Sequence, residues 1–343
     1  MRIGVDAQLA QGTATGIGEY VRGLVSALRA RGCEVVELEE PKLDPWRFDR
    51  RVFWDQVLLP QRARQANLDL LHCASGTAPM SVPMPLVVTV HDVAWLRAQP
   101  HARPYARYYF GAFSVERYRQ AAAIAVDSEF SRSELLDAVP GLDARRVRVV
   151  YPGVSNDYCA LPRERGDGRT ILVVGTVERR KNLEAVVRAL PLLDTARVVS
   201  VGPYTSYQDE CVRIAEDLGV ADRVEFRGYI SRDELLDLYA SCAVVAMPSR
   251  YEGFGYGAAQ ALCAGAPVVV SDQSSLPEVV GDDGTVVAIE STQAWVDALG
   301  AALRGACDAR AAEVRARAVE RFAWSKSAAD MAATYDLALA ARV

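Results

Sequence analysis

The sequence lacks the features that would indicate a metal site, a secreted scaffold or a membrane span. It contains no Asp-x-Asp and no Cys-x-x-Cys pair, and its three histidines and seven cysteines show no metal-ligand spacing. No uninterrupted apolar run reaches the roughly 18 residues of a transmembrane helix, and the opening MRIGVDAQLA has no apolar core of signal-peptide length. We therefore expect a cytoplasmic protein with free, buried thiols and no metal, and contact with the inner face of a membrane stays open.

The chain also lacks an excess of basic charge. Its 343 residues carry a formal net charge of −5 and the pI is about 5.5, so binding to nucleic acid through overall charge is not expected. Half of the residues are hydrophobic and 24% are charged, which is typical of a globular protein with a large core. At roughly 100–200 residues per domain, this length predicts two domains.

What the sequence does contain is a regular alternation of short β-branched runs with amphipathic helical patterns. One series predicts strands near residues 2–5, 33–38, 68–72, 86–91, 122–126 and 147–151, and a second near residues 170–174, 198–202, 224–227, 243–247, 266–270 and 284–287. Such alternation implies parallel sheets covered on both faces. We therefore predict two facing doubly wound α/β domains with a boundary near residues 155–168, followed by a last long helical region at residues 309–343.

Ligands of such sheets bind beyond the carboxyl ends of the strands, so the strand-to-helix loops hold the candidate site residues. GTATGIG at residues 12–18 follows the first strand. Its Gly16 and Gly18 either bring backbone N–H groups to a phosphate or form a plain turn. His91 ends an apolar strand beside Asp92. It is interpreted either as a donor of a hydrogen bond or proton to a ligand, or as a buried and satisfied histidine.

Two loops in the second half carry charge beside glycine. VGTVERRKN at residues 174–182 places Arg180 and Lys181 at a helix entrance after Gly175. A guanidinium fork beside an ammonium suits a diphosphate there, and a solvated basic cluster is the alternative. EGFGYGAAQ at residues 252–260 begins with Glu252 and has three glycines. Its backbone could approach a sugar and its phosphates, and a tight strand-to-helix turn is the alternative.

Together these stretches resemble the retaining, nucleotide-sugar-dependent glycosyltransferases of family 4, which have the two-domain GT-B fold. The similar segments occur in the family's order and are HDVAWL at 91–96, DSEFSRSEL at 127–135, VYPGV at 150–154, VGTVERRKN at 174–182, YEGFGYGAAQALCAGAPVVVSD at 251–272 and FAWSKSAADMAATY at 322–335. The HD and RRKN variants look most like bacterial polysaccharide mannosyl- and rhamnosyltransferases. The resemblance implies an acceptor-side domain at residues 1–158, a nucleotide-sugar domain at 159–320, and a C-terminal helix at 321–343 that packs on the first domain.

The resemblance also implies a role for each candidate residue. Arg180 and Lys181 would bind the donor diphosphate, His91 would lie near the donor sugar, and Glu252 would hold the transferred sugar as the first acid of an E-x7-E signature. The other implied donor contacts are Gly16, Gly18 and Gly175 near the diphosphate, the backbone of Gly253, Phe254, Gly255 and Tyr256, and Tyr229 and Ile230 near the base. No metal or cofactor is implied besides the nucleotide sugar itself.

The second acid of E-x7-E is replaced by Gln260. In the family that acid accepts hydrogen bonds from the ribose, whereas a glutamine is neutral and carries an NH2 donor, so about 1 kcal/mol of donor affinity could be lost. Three interpretations stay open. Gln260 still binds ribose, or it suits a deoxyribose nucleotide such as a dTDP-sugar, or donor binding is impaired and the protein is a nucleotide-sugar-binding partner without catalysis.

The activity implied by the resemblance is metal-independent transfer of a hexosyl or 6-deoxyhexosyl unit, with retention, from a GDP-, dTDP- or UDP-linked sugar. The acceptor would be a hydroxyl of a saccharide, a lipid-linked saccharide or a natural product. The glycine loop and the HD pair argue against a GT-B epimerase. Residues 97–119 interleave arginines with aromatics. They are interpreted either as a surface for an anionic lipid or membrane, or as an amphipathic helix with solvated arginines.

Overall fold

The structure, a computed structural model, describes residues 1–11, 16–44, 46–96, 104–163, 166–305 and 310–341. The chain forms two compact units, and each contains one six-stranded parallel sheet. Unit 1 comprises Met1–Gly153 and Ala323–Val343, and unit 2 comprises Val154–Phe322. The polar stretch at residues 161–169 lies inside unit 2.

Unit 1 begins with a strand, and helices connect its successive strands except between β3 and β4. Its strands are β1 (Arg2–Asp6), β2 (Glu34–Leu38), β3 (Leu70–Cys73), β4 (Leu86–Val90), β5 (Ala123–Val126) and β6 (Val147–Val149). Its helices up to this point are α1 (Gly16–Ala30), α2 (Phe48–Phe53), α3 (Leu59–Gln65), α4 (Pro104–Arg107), α5 (Ser114–Gln120) and α6 (Glu129–Ala138). The sheet order is β2-β1-β3-β4-β5-β6. β3, β4 and β5 are buried along their whole length, as expected for parallel strands covered on both faces.

Unit 2 repeats the pattern. Its strands are β7 (Thr170–Val174), β8 (Arg197–Val201), β9 (Val224–Phe226), β10 (Val244–Met247), β11 (Val268–Ser271) and β12 (Thr285–Val287). Its helices are α7 (Asn156–Cys159), α8 (Leu183–Ala189), α9 (Ser206–Asp217), α10 (Arg232–Ser241), α11 (Tyr256–Ala264), α12 (Leu276–Val280), α13 (Thr292–Leu303) and α14 (Ala311–Arg321). The sheet order is β12-β11-β10-β7-β8-β9.

The twelve predicted strands are all present, with ends that differ by one or two residues at most. The region at 309–343 is not one long helix, because the chain is extended at Ala323, with φ −67° and ψ 133°. α14 ends before this point, and a final helix, α15 (Trp324–Ala340), follows it and belongs to unit 1. The predicted helical region is therefore two helices that belong to different units, and the second begins close to residue 321, where the resemblance places the start of the C-terminal helix.

α15 is held in unit 1 by one tryptophan and one tyrosine. A Cβ atom at Gly23 of α1 or at Gly153 would lie only 2.1 or 2.3 Å from the Trp324 ring, so both positions need glycine for this ring to fit. Further along α15, the Tyr335 hydroxyl lies 2.8 Å from Nδ1 of the buried His72. Burial lowers the pKa of His72 to about 3, so this histidine is a neutral core residue.

The helical region at 48–65 was not predicted from the sequence. Arg51, a charged residue, faces the interior here, with Nη2 3.2 Å from Asp6 Oδ2 and Nε 3.1 Å from Asp55 Oδ2. Trp54 Nε1 donates to Asp6 and the Tyr109 hydroxyl donates to Asp55. Because an arginine and an aspartate occupy inward positions, the apolar periodicity that predicts a helix is interrupted.

The arginine- and aromatic-rich segment departs from the interpretation as an amphipathic helix with solvated arginines, and the interpretation as a membrane surface stays a prediction. Arg117, Tyr109 and Tyr118 are buried, and Arg117 donates to the Met80 carbonyl, so the arginines of this segment are not all solvated. Tyr108 is 64% exposed. The predicted positions 97–103, including Arg97 and Arg103, lie outside the described residues. No helix in the described part of the chain is long and apolar enough to cross a membrane.

Candidate active site

The candidate site of unit 2 lies where the strand order of the sheet reverses. β7 and β10 are neighbours, and the chain proceeds outward from β7 to β8 and from β10 to β11 on the opposite side. The loops after these two strands therefore diverge and leave a crevice at the carboxyl edge, the usual ligand position in doubly wound sheets. Residues 175–182 follow β7, and residues 248–255 follow β10. The Arg250 N–H donates to the Arg180 carbonyl (2.7 Å) and joins the two loops.

The two loops bring the predicted basic pair and the predicted acid into direct contact. Lys181 Nζ lies 2.5 Å from Glu252 Oε1, and Arg180 Nη1 lies 3.3 Å from Glu252 Oε2. The Ser249 hydroxyl also donates to Glu252 Oε1 (2.7 Å), while Arg180 Nη2 contacts Glu178 (2.7 Å). Burial by itself would raise the pKa of Glu252, but the charges of Lys181 and Arg180 hold this pKa below its ordinary value. The carboxylate is therefore ionised at neutral pH.

Each of the two loops has a glycine with a positive φ, a backbone conformation that side chains disfavour. Gly255 precedes α11 with φ 94°, and a Cβ atom there would lie 2.6 Å from Leu276 Cδ2. Gly175, at the end of β7, has φ 134°. Gly253 and Phe254 lie between Glu252 and Gly255, and the Phe254 ring is buried against Phe322. Phe254 therefore has a core side chain, and only its backbone is a candidate for ligand contact.

Gln260 is buried in the second turn of α11. Its Oε1 accepts a hydrogen bond from the Tyr239 hydroxyl (3.2 Å), and the Tyr239 ring packs edge-on against Tyr158. The amide oxygen is thus used within unit 2, and the NH2 group is the remaining polar group of the side chain. The sequence analysis did not identify Tyr239, because a tyrosine on a neighbouring helix has no signal in the E-x7-E spacing.

Tyr229 and Ile230 follow β9, which is the edge strand two positions from β7. The Tyr229 side chain is 69% exposed. Neither residue belongs to the charged cluster around Glu252, and their predicted contact with a base stays a prediction.

His91 lies in unit 1, after β4. Its Nδ1 is 2.7 Å from Asp127 Oδ2 and its Nε2 is 3.0 Å from the Ala74 carbonyl oxygen. The Ala74 carbonyl can only accept, so Nε2 donates to it, and Nδ1 shares a hydrogen bond with the Asp127 carboxyl group. Burial alone would lower the pKa of His91, but Asp127 raises it above its ordinary value, and burial raises the pKa of Asp127 as well. Both ring nitrogens are therefore bonded within unit 1, and a bond to a sugar hydroxyl would have to compete with one of these contacts.

Gly16 and Gly18 are the first and third residues of α1, which follows β1. Residues 12–15 of the same predicted glycine loop lie outside the described residues. The position at a helix start after the first strand is as predicted, and the phosphate contact of these glycines stays a prediction.

Serines that the sequence analysis did not single out hold the Glu252 loop in place. The Ser275 hydroxyl donates to the carbonyl oxygens of Glu252 (3.0 Å) and Phe254 (2.8 Å), and the Ser271 hydroxyl donates to that of Ser249 (2.6 Å). Both serines lie beyond α11 in the chain. Ser271 ends β11, and Ser275 immediately precedes α12. Isolated serines in a loop carry no motif, so only the tertiary contacts reveal this function.

Comparisons with known proteins identify the family of the chain. The family description "Glycosyltransferase Family 4" matches residues 14–158, and "Glycosyl transferases group 1" matches residues 161–321. The MMP alpha-(1->4)-mannosyltransferase of Mycolicibacterium hassiacum is 30% identical over 301 residues, which cover 81% of this chain and 72% of that protein. The chain belongs to glycosyltransferase family 4.

A second family 4 relative is the D-inositol 3-phosphate glycosyltransferase of Mycobacteroides abscessus, which is 32% identical over 279 residues. The match covers 75% of this chain and 61% of that relative. The matched part of the chain thus spans less than two thirds of that relative's length.

Solved structures confirm the fold predicted for this family 4 member. Sucrose-phosphate synthase from Thermosynechococcus elongatus matches with a TM-score of 0.78 and 21% identity, covering 99% of this chain and 100% of that chain. WaaG, a glycosyltransferase involved in lipopolysaccharide biosynthesis, matches with a TM-score of 0.74 and 17% identity over 98% of this chain and 99% of that chain. HepE from Anabaena, in complex with UDP and glucose, matches with a TM-score of 0.71 and 18% identity over 98% and 99% of the two chains. The GT-B fold class is therefore confirmed.

Proposed function

We propose that this protein transfers a hexosyl or 6-deoxyhexosyl unit from a nucleoside diphosphate sugar to an acceptor hydroxyl, with retention at the anomeric carbon. The observation that carries the proposal is the contact of the ionised Glu252 with Lys181 and Arg180 at the strand-order reversal of unit 2. This arrangement presents a carboxylate acceptor for sugar hydroxyls directly beside two cations for a diphosphate. The names of the two relatives, a mannosyltransferase and an inositol phosphate glycosyltransferase, support the same class of reaction.

The cations and the carboxylate of this cluster have separate roles in the proposal. Arg180 contacts Glu252, Glu178 and the Tyr251 carbonyl, and Lys181 Nζ donates one of its three N–H groups to Glu252. The positive charges of both side chains would attract a diphosphate and stabilise the charge that develops as it leaves. Glu252 Oε1 already accepts two hydrogen bonds, whereas Oε2 accepts one at 3.3 Å. We therefore assign Oε2 to the hydroxyls of the transferred sugar.

In the proposed reaction the bond from the anomeric carbon to the diphosphate breaks while the acceptor oxygen bonds to the same face of the sugar. The acceptor's proton passes to the leaving diphosphate oxygen. The two cations stabilise the leaving group, and the backbone of residues 253–256 and Gly175 borders the sugar and phosphates. Gln260 faces the ribose, and Gly16, Gly18 and His91 keep the donor roles that the resemblance implies. We assign acceptor recognition to the first domain.

We further propose that the transfer does not need a metal ion. The positive charge for the diphosphate comes from Arg180 and Lys181, whose side chains meet at the site. Turnover should persist in EDTA, and a strict loss of activity that Mn²⁺ restores would contradict the proposal. Among the described residues no group of three or more His, Cys, Asp or Glu side chains could hold a metal ion.

The proposed transfer has a direct test, a screen of donors in the presence of candidate acceptors. A screen of UDP-, GDP- and dTDP-linked sugars, read as released nucleoside diphosphate, tests the proposal directly. Suitable acceptors are a saccharide, a lipid-linked saccharide or a natural product. Release of nucleotide from none of these donors, with or without acceptor, would contradict the proposed transfer. The non-catalytic alternative gains no support from the relatives, which are named as enzymes.

Peripheral contact with the inner face of a membrane is part of the proposal for lipid-linked acceptors. The exposed aromatic residues Trp95, Tyr105 and Tyr108 of unit 1 support it. Sedimentation with vesicles that contain anionic lipid tests it, with neutral vesicles as the control. Equal recovery of the protein in both supernatants would exclude contact driven by lipid charge.

A further inference from the structure

The loop that carries Glu252 is attached to two residues with unusual backbone conformations. Among the described residues, three non-glycine residues have a positive φ, and two of these, Asn182 and Ser274, belong to unit 2. Their φ values are 54° and 55°. Asn182 Nδ2 donates to the Pro248 carbonyl (3.1 Å), and the Ser274 hydroxyl oxygen accepts from the Glu252 N–H (2.9 Å). Both unusual residues therefore bond to the segment at 248–252.

Ser274 is the less expected of the two. Asparagine adopts the left-handed region several-fold more often than most residues, because its short polar side chain bonds locally, whereas a serine there is strained by its Cβ atom. Such strain persists only where the surrounding structure enforces it, and strained residues cluster at functional sites. The strained conformation of Ser274 therefore indicates a contact that a relaxed conformation would not make.

Ser274 and Ser275 fix the backbone of Glu252 at its N–H and at its carbonyl group. The Ser274 hydroxyl accepts from the Glu252 N–H and donates to the Gln273 carbonyl (2.8 Å). The hydroxyl of the next residue, Ser275, donates to the Glu252 carbonyl (3.0 Å). With its side chain held by Lys181 (2.5 Å), Glu252 has little freedom left. A carboxylate that must meet a sugar hydroxyl gains from this order, because small displacements reduce turnover sharply.

We propose that Ser274 is a positioning residue that sets the place of Glu252, and that its left-handed backbone conformation is retained for this purpose. The proposal rests on the proposed function, because it takes Glu252 as the acid that holds the transferred sugar. Ser274 acts through Glu252 and does not itself touch the donor.

Two substitutions separate the hydroxyl from the backbone strain. Ser274→Ala removes the hydroxyl and keeps the strain, whereas Ser274→Gly removes the hydroxyl and relieves the strain. The glycine variant should therefore melt about 2–4 °C above the alanine variant. Both should lower kcat by about tenfold or more with a donor that the wild-type protein turns over. The affinity for the free nucleoside diphosphate should stay within about twofold of wild type, because the sugar-holding acid moves and the phosphate-binding cations do not.

Hydrogen–deuterium exchange of the Glu252 amide tests the contact without any activity measurement. In the wild-type protein this N–H is bonded to Ser274, so its exchange should be slow. In both Ser274 variants it should exchange about tenfold faster or more, because the acceptor is gone. Asn67→Gly is the matched control, since Asn67 has φ 50° and lies in unit 1, between α3 and β3. It should leave kcat and Glu252 exchange unchanged.

The outcomes separate this inference from the proposed function. A wild-type kcat in Ser274→Gly would overturn the inference. A kcat that rises with the melting temperature, so that the more stable Ser274→Gly is also the more active variant, would overturn it too. If the wild-type protein turns over no donor, the proposed function fails. The exchange rate of the Glu252 amide then decides alone whether Ser274 fixes that residue, and an unchanged rate in both variants overturns the inference.

Discussion

Glu252→Gln is the substitution that most directly tests the charged cluster. It keeps the shape of the side chain but removes its charge, so the bonds from Lys181 (2.5 Å), Ser249 (2.7 Å) and Arg180 (3.3 Å) lose their charged acceptor. The variant protein then holds two cations beside a neutral side chain, and Arg180 keeps its ion pair with Glu178 (2.7 Å). We expect unit 2 to be less stable and turnover to fall.

The magnitude follows from the two ion pairs. A hydrogen bond to a charged group contributes about 1.5–3 kcal/mol and a neutral one about 0.5–1.5 kcal/mol, so each cation loses about 1 kcal/mol of interaction. The Arg180 side chain is 37% exposed, and solvent screening reduces its share to about half. The total of about 1.5–2 kcal/mol corresponds to a fall in the melting temperature of about 3–8 °C for a domain of this size.

The pH dependence of the melting temperature tests the role of the Glu252 charge independently. Because the folded protein holds the pKa of Glu252 below its ordinary value of 4.5, the ionised carboxylate stabilises the protein above that ordinary value. This stability is lost as the pH falls through the lowered pKa. The difference in melting temperature between wild type and Glu252→Gln should therefore be largest near pH 7 and should shrink in acid.

Differential scanning calorimetry at pH 7 and at about pH 3.5 measures both effects, and a donor turnover assay measures the loss of kcat, expected at about 100-fold for a group that stabilises the transition state. Glu210→Gln is the control with the same charge change, because Glu210 pairs with the 73% exposed Arg179. It should shift melting by about 1 °C or less. A Glu252→Gln protein that melts within about 1 °C of wild type at pH 7 would refute the reasoning, as would a difference that persists undiminished in acid.

Three further predictions concern the same sites. Arg180→Ala combined with Lys181→Ala should lower turnover by about 100-fold or more, because the diphosphate loses both cations; near-wild-type turnover would remove them from that role. Gln260→Glu should bind UDP or GDP about fivefold more tightly in titration calorimetry, a gain of about 1 kcal/mol, while binding to dTDP changes less because one ribose hydroxyl is missing; equal changes for all three nucleotides would place Gln260 away from the ribose. A ¹⁵N NMR titration should give His91 a pKa above the ordinary histidine value, because Asp127 raises it, and a pKa below that ordinary value would contradict the pairing with Asp127.

Much of the candidate site could be read from short sequence windows, but its internal contacts could not. The glycine loop beginning at Glu252 and the Arg180–Lys181 pair are local patterns after strands, and the structure places both at the carboxyl edge of one sheet. Their mutual contact spans about 70 residues and depends on β7 and β10 being neighbours. The contacts of His91 likewise depend on Asp127 and Ala74, which the pairing of β4 with β5 and β3 brings close.

The sequence by itself determined the twelve strands, their alternation with helices and the family, because strand and helix periodicity and the glycine motifs are encoded within windows of a few residues. Only the tertiary structure decided which charges neutralise each other. Only it showed that the Glu252 N–H is bonded to Ser274, a residue with a strained backbone conformation. These features depend on strand order and on contacts between distant segments, and no local window of the chain carries that information.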